Sequence, residues 1–353
     1  MFINPLKKNM RNFFYDIKNY FFYKINEKKY LRAFFFENVG IFNHLTPHLN
    51  NRKKRGEVAI ILFNEISDPS KFTEKNNIYI FKTNLIREFF FLTLNVRYFY
   101  CSTPDLNRSV FKRTKFFQTK YIYLQHSPVS LTSVYNDNAF NSFDAIQAIG
   151  NYQYDEIKEI NRIYNINIRP FKAKYAFLSK ENIFFSYNLK KSYDVLIAPT
   201  WNTNFYSLNL HLLLIKEFRE KDITYKLRPH QMSIKKNIIN IKENKNLYFD
   251  LEDKVNFSAF KYLITDWSGI FIEYFLIKKQ KPFLVNTLQK VGKGKKNNKI
   301  IEKAVENKWR SIISEVVNVD QIKKIPDMIL KIKKKTTLHS FDTLVNEFKK
   351  NFY

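Results

Sequence analysis

Two histidines stand at the ends of short apolar runs, where open α/β sheets put the residues that touch ligands. Gln125-His126-Ser127-Pro128 closes the run that begins at Tyr121, and Arg228-Pro229-His230 closes the run that ends at Leu227. A neutral histidine in such a place can take a proton from a hydroxyl, and an Arg with a His can hold a phosphate. A structural histidine, or a solvated turn with Pro as its breaker, accounts for the same residues. A third stretch, Tyr262 to Tyr274 (YLITDWSGIFIEY), is an apolar run broken at Thr265-Asp266-Trp267-Ser268-Gly269 and resumed with helical spacing, which predicts strand, turn and helix. The first N–H groups of that helix, flanked by two hydroxyls, would seat a phosphate. Thr265, Asp266 and Ser268 would equally serve as plain helix caps. Ala198-Pro199-Thr200-Trp201 ends a fourth run and reads by itself as a loop with a core Trp.

These four patches need elements to hold them. From Glu57 onward short apolar runs alternate with longer helical ones, the pattern of βαβ units around a parallel sheet. Strands are expected at Val58–Phe63, Ile78–Phe81, Val96–Tyr100, Tyr121–Gln125 and Ala145–Ile149, with helices at Asn84–Thr93, near Arg108–Phe117 and at Tyr152–Tyr164. A second series follows a patternless linker: strands Asp194–Ala198, Thr224–Leu227, Leu247–Phe249, Tyr262–Thr265 and Phe283–Val285, and helices Leu208–Lys221, Ser233–Lys242 and Ile270–Ile277. Helical patterns then cover Ile300–Val317, Gln321–Lys335 and Ser340–Phe352, after a basic loop KVGKGKKNNK. The expected organisation is a basic aromatic helical leader over 1–55, a Rossmann-like domain over 56–172, a linker over 173–191, a second Rossmann-like domain over 192–318 and C-terminal helices over 319–353. Arg52-Lys53-Lys54-Arg55-Gly56 reads as the turn before the first strand.

At 353 residues the chain can build two cores, and its 45% hydrophobic content is that of a folding protein. The net charge of +28 would suit anionic lipid or phosphorylated ligands. Lys, Asn, Ile, Phe and Tyr are abundant while Gly totals 6, a bias toward A/T-rich codons, so the charge does not argue for a nucleic-acid partner. The single Cys101 lies among aromatics and reads as a core residue; it excludes an internal disulfide and fits a reducing, cytoplasmic setting. His44, His48, His211 and His339 have no partners at metal spacing, and no metal site is expected. GxGxxG, HExxH, GxSxG and Walker A patterns are absent, which removes the common dinucleotide, hydrolase and nucleoside-triphosphatase readings. No apolar run reaches the ~18 residues of a membrane span. The N-terminus has no signal-peptide h-region or cleavage site. Its leader interleaves Phe13, Phe14, Tyr15, Tyr20, Phe21, Phe22 and Tyr23 with lysines, which suits either an interfacial membrane anchor or a cover for the first core.

In order, HSP at 126–128, APTW at 198–201, RPH at 228–230 and TDWSGIFIEY at 265–274 with KPF at 281–283 resemble the motif series of the CDP-glycerol glycerophosphotransferases, the teichoic-acid polymerase and primase family. The family's strings look like HGTP, APTWR, a HP after a strand, and TDYSS followed by FDY and KP. The similarity spans Tyr121 to Asn286. It implies an α/β, GT-B-like fold of two Rossmann-like domains facing a cleft, and transfer of glycerol phosphate or ribitol phosphate from a CDP-linked donor to a glycan or lipid-linked acceptor, with release of CMP and without a cofactor. By position, His126 corresponds to the general base on the acceptor, with Gln125 and Ser127 on the acceptor side. His230 corresponds to the histidine on the donor phosphates, next to Arg228. Thr265, Asp266, Ser268, Gly269 and Thr200 fall in the phosphate and ribose seat, with Glu273 where the family has Asp. Ser127 stands for the family's Gly, Gly269 for its second Ser and Asn202 for the Arg after APTW. The expected setting is cytoplasmic and peripheral at the inner face of the membrane, in surface-polymer, capsule or lipopolysaccharide synthesis. A GT-B glycosyltransferase using a nucleotide sugar, and a non-catalytic basic protein binding membrane or nucleic acid, are the alternatives.

Overall fold

In a computed structural model, residues 5–37, 58–63, 77–107, 110–178, 192–201, 203–252, 255–289, 291, 292, 294, 302, 304–334 and 341–353 are described. The turn at 52–56, most of the 290–299 loop, Asn202, His44, His48 and His339 lie outside them. The described residues form two α/β units. The first comprises Met1–His126 with Asn136–Ala176, and the second Phe177–Tyr353 with the short segment Ser127–Tyr135.

The first unit opens with helix α1 (Pro5–Asn26), which has Pro at its first position, where a missing N–H costs nothing. Strands β1 (Arg32–Phe36), β2 (Val58–Phe63), β3 (Ile78–Phe81), β4 (Tyr98–Cys101), β5 (Lys120–Tyr123), β6 (Ala145–Ala148) and β7 (Arg169–Lys172) follow, with helices α2 (Asn84–Leu92) and α3 (Asn151–Tyr164) between them. The sheet order is β3-β2-β1-β4-β5-β6-β7 and every pairing is parallel. Its first six strands have the order of the dinucleotide-binding fold, with the topological switch between β1 and β4.

Three expectations are corrected here. Residues 32–36, placed by sequence in the helical leader, are a central strand, with Arg32 opposite both Val58 and Tyr98. The helix expected near 108–117 is absent from the described residues 110–117. The edge strand β7 was missed, because Pro170 interrupts its run. Helix α1 packs one face on this unit: Tyr23 is fully buried, with ring centroids 5.1 Å from Tyr79 and 4.8 Å from Phe90. On the same face the buried carboxylate of Asp16 accepts the N–H groups of Lys82 (2.8 Å) and Thr83 (2.6 Å), satisfying donors at the start of α2. Cys101 is buried, and burial pushes its thiol pKa up, as suits a core residue.

The second unit carries β8 (Tyr193–Ile197), β9 (Tyr225–Leu227), β10 (Phe260–Thr265), β11 (Phe283–Asn286) and β12 (Glu315–Asn318). Its helices are α4 (Leu210–Glu220), α5 (Gln231–Lys235), α6 (Ile270–Lys278), α7 (Val305–Ile313), α8 (Ile325–Lys334) and α9 (Asp342–Lys349). The parallel order is β12-β11-β10-β8-β9. An isolated parallel bridge joins Phe249 to Leu227, so the strand expected at 247–249 survives as one pairing beside β9. Counting it, this sheet has the same order as the first, with its switch between β8 and β10. Residues 315–318, expected as the end of a helix, are instead an edge strand paired to β11. Two successive Rossmann-like units give the α/β, GT-B-like composition expected. Leu196, Ile197, Leu263, Ile264, Leu284 and Val285 are fully buried, the continuous apolar signature of a sheet covered on both faces.

Candidate functional site

The switch point of the second sheet is where three of the four sequence patches meet. Ala198-Pro199-Thr200-Trp201 leaves β8, Arg228-Pro229-His230 leaves β9 and Thr265 to Gly269 leaves β10, and these three strands are neighbours. Thr265 donates its hydroxyl to Ala198 O at 2.6 Å, so β8 and β10 stay joined past the last ladder bond. Asp266 is completely buried and accepts the N–H of Thr200 and the hydroxyl of Thr203, both at 2.8 Å. Burial raises its pKa, against the pull of those donors and of the Arg310 charge. Thr265 and Asp266 were expected to face a phosphate. The structure instead commits both side chains to fixing the two loops against each other.

Ser268 is half-buried, and Gly269 precedes the first turn of α6. No side chain caps that turn. The segment Ser127–Val129 lies against it: a Cβ at Gly269 would collide with Ser127 Oγ and meet Val129 Cγ1 at 2.8 Å. Glycine at 269 is therefore required by close approach. Glu273 lies one turn into α6, buried.

Beyond β9, Arg228 forms an ion pair with the buried Asp250 at 2.8 Å. His230 is exposed, and its Nδ1 accepts the N–H of Met232 at 3.1 Å, capping the short α5. That bond puts the proton of the neutral ring on Nε2. Trp201 has its ring centroid 6.4 Å from that of His230 and carries the Lys236 ammonium 4.3 Å from its centroid. An aromatic ring, an imidazole and two cations thus crowd the ends of β8 and β9.

The other expected residues sit in the first unit, beyond β5. Gln125 is fully buried; its N–H donates to Gln147 Oε1 at 3.0 Å and its Nε2 to Gln147 O at 3.1 Å. It holds β5 to β6. His126 is half-buried, and its carbonyl accepts the hydroxyl of Tyr175 at 3.3 Å.

Sequence reasoning missed a group on α7. Glu306 and Arg310, one helical turn apart, are both buried. Glu306 accepts the N–H of Ser130 at 2.7 Å, fastening the 127–135 segment. Arg310 donates to the carbonyl of Asp266, and its guanidinium lies 3.8 Å from the centroid of Trp267. Burial lowers the Arg310 pKa to about 10, with Asp266 and Glu306 opposing. Trp267 in turn donates to Thr287 O at 2.9 Å. In sequence, Glu306 and Arg310 look like an ordinary surface pair at i,i+4 spacing. Only their burial reveals what they hold.

No protein-family model matches the chain, and no curated protein does. Several solved structures do. The wall teichoic acid polymerase TagF soaked with CDPG is 13% identical, over 94% of this chain and 98% of that one, with a TM-score of 0.45. Anabaena Alr3699/HepE in complex with UDP-glucose is 9% identical, over 91% and 95%, at 0.47. The UDP-GlcNAc 2-epimerase of Methanocaldococcus jannaschii is 10% identical, over 91% and 99%, at 0.44. At these identities and TM-scores the likenesses carry no argument about donor or reaction, and the fold assignment rests on the two sheets. No helix among the described residues is long and apolar enough to cross a membrane.

Proposed function

We propose that this chain transfers an alditol phosphate, glycerol phosphate or ribitol phosphate, from a CDP-linked donor to an acceptor hydroxyl and releases CMP. One observation carries the reading. The APTW, RPH and TDWSG patches, each weak in sequence, converge on the carboxyl ends of three adjacent strands at a switch point, the place where open α/β sheets bind ligands. Together with HSP they follow the order of the glycerophosphotransferase motifs.

In this reaction His126 takes the proton of the acceptor hydroxyl, and the oxygen attacks the phosphorus that bears the alditol. The bond from that phosphorus to the bridging oxygen breaks, and the electron pair leaves with CMP. Charge on the departing phosphate is met by the N–H groups that open α6, by His230 through Nε2–H and by Arg228, which Asp250 orients. Thr200, Thr265 and Asp266 keep the loops that present these donors in register. The work takes place at an anionic membrane surface on a glycan or lipid-linked acceptor.

Incubating the purified chain with CDP-glycerol, CDP-ribitol and a panel of nucleotide sugars, and identifying the nucleotide released, tests the reading. CMP from a CDP-alditol supports it. A nucleoside diphosphate from a nucleotide sugar makes the chain a glycosyltransferase of the same fold.

A further inference from the structure

The first sheet has a switch point of its own, between β1 and β4, and the carboxyl ends of strands at such a point are where open α/β sheets take ligands. Phe34 pairs with Tyr100, so three residues further on Glu37 and Thr103 leave their strands side by side. The Thr103 hydroxyl donates to Glu37 Oε2 at 3.3 Å. Cys101 pairs with Tyr123, so two residues further on Thr103 and Gln125 stand next to each other as well. His126 follows directly. Glu37, Thr103 and Gln125 thus form one polar row across the ends of β1, β4 and β5.

Two oxygens at this edge are buried without a partner. Gln125 commits its N–H and its Nε2 to Gln147, and its Oε1 accepts nothing. Ser102, one residue before Thr103, is buried with its hydroxyl equally unpartnered. Buried polar atoms left empty weaken a fold, so such a pair calls for an explanation. Glu37 is half-buried, and among the described residues only Thr103 bonds to its side chain. Even in a chain with 60 Lys and Arg against 32 Asp and Glu, no cation among the described residues pairs with it. A carboxylate, an amide oxygen and two hydroxyls make a set rich in hydrogen-bond acceptors, which suits a ligand carrying several adjacent O–H donors. The same carboxylate repels a phosphate or another carboxylate brought beside it.

We propose that this row binds the uncharged polyol end of the acceptor, and that Glu37 turns away an end that carries a phosphate. Gln125 Oε1 and Glu37 accept hydrogen bonds from its hydroxyls, and Ser102 and Thr103 complete the seat. The identity of the ligand as an acceptor rests on the transferase reading; the polyol site itself rests on the first sheet alone.

Saturation-transfer NMR on the full chain with glycerol, and separately with glycerol 3-phosphate, tests the site without any donor. The parent should give a glycerol response that Glu37→Lys loses. Glu37→Gln keeps an oxygen for the Thr103 hydroxyl and should move the preference toward glycerol 3-phosphate by about tenfold. Ser102→Ala should weaken glycerol binding by about tenfold while unfolding at the same or a higher urea concentration, since it removes an unpaired buried hydroxyl. A purely structural serine would move both in the same direction. With CDP-glycerol as donor, Glu37→Gln should raise the KM for glycerol by more than it lowers kcat. Glycerol binding that is unchanged in both Glu37→Lys and Ser102→Ala overturns the proposal, whatever the activity. A glycerol response that behaves as expected in a chain that releases no CMP from any CDP-alditol supports the polyol site and refutes the transferase reading instead.

Discussion

Ser127 and Gly269 approach so closely that neither can be considered alone: a Cβ at 269 would collide with Ser127 Oγ. In the family whose motifs this chain resembles, the pattern is inverted, with Gly after the histidine and Ser at the helix start. In this chain the two positions share one contact, so bulk added at 269 has to be given up at 127. Gly269→Ser should therefore lower activity and stability, by about 1–3 kcal/mol as overpacking does. Ser127→Gly/Gly269→Ser should recover most of that loss. A double-mutant cycle by urea unfolding measures the coupling, and additive effects would show that the two positions are independent.

Arg310 is the second test. Replacing it by Met removes a donor from the Asp266 carbonyl and a cation that interacts favourably with the buried carboxylates of Asp266 and Glu306. The expected loss is about 3 kcal/mol, within the range for breaking a buried ionic group. Emission from Trp267, which loses its guanidinium cover, should shift as well, and a Trp201→Phe/Trp309→Phe background isolates that signal. Unchanged stability would mean that the 266–269 turn stands without α7.

His230 separates capping from chemistry. Its Nδ1 caps α5, a role that Asn can fill. His230→Asn should keep the parent melting temperature and lose CMP release by about 10²–10⁴-fold. His230→Ala should lose both, with about 1 kcal/mol of stability. His126→Ala should lose activity to a similar extent. Full activity in the His126 and His230 variants refutes the proposed roles.

His211 on α4 gives the fold a pH response. Burial lowers its pKa from 6.5 to about 4. Below pH 6.5 the unfolded chain binds a proton that the folded chain refuses until about pH 4, so stability falls as pH drops through that window. The slope from this one group approaches 1.4 kcal/mol per pH unit. His211→Gln should flatten the stability profile between pH 6.5 and 4 in urea titrations at stepped pH.

Much of the framework was legible because buried parallel strands read as short apolar runs: β2, β3, β8, β10 and β11 fall within a residue or two of where the pattern puts them. The failures share a cause. In Arg32–Phe36 the run RAFFF continues an aromatic, lysine-rich helix, so the 3.6-residue pattern overwrote a central strand. In Glu315–Asn318 two charged or polar ends hid a strand with one buried residue. At the site, the motif positions were legible but their physical duties were not. Thr265, Asp266 and Gln125 have the side chains of ligand contacts, yet buried acceptors and donors nearby claim them. Glu306 and Arg310 lie far along the chain from the turns they support, and no local pattern joins them.

The assignment of Ser127–Tyr135 to the second unit has a consequence for biosynthesis and for dissecting the gene. Nine residues that cover Gly269 and supply the Ser130 N–H to Glu306 leave the ribosome long before α6 and α7 exist. The later unit must reach back for a piece made earlier, so its last packing step waits on the end of translation. A gene fragment that starts at residue 177 encodes an incomplete unit, and supplying residues 127–135 as a separate peptide should complete it in trans.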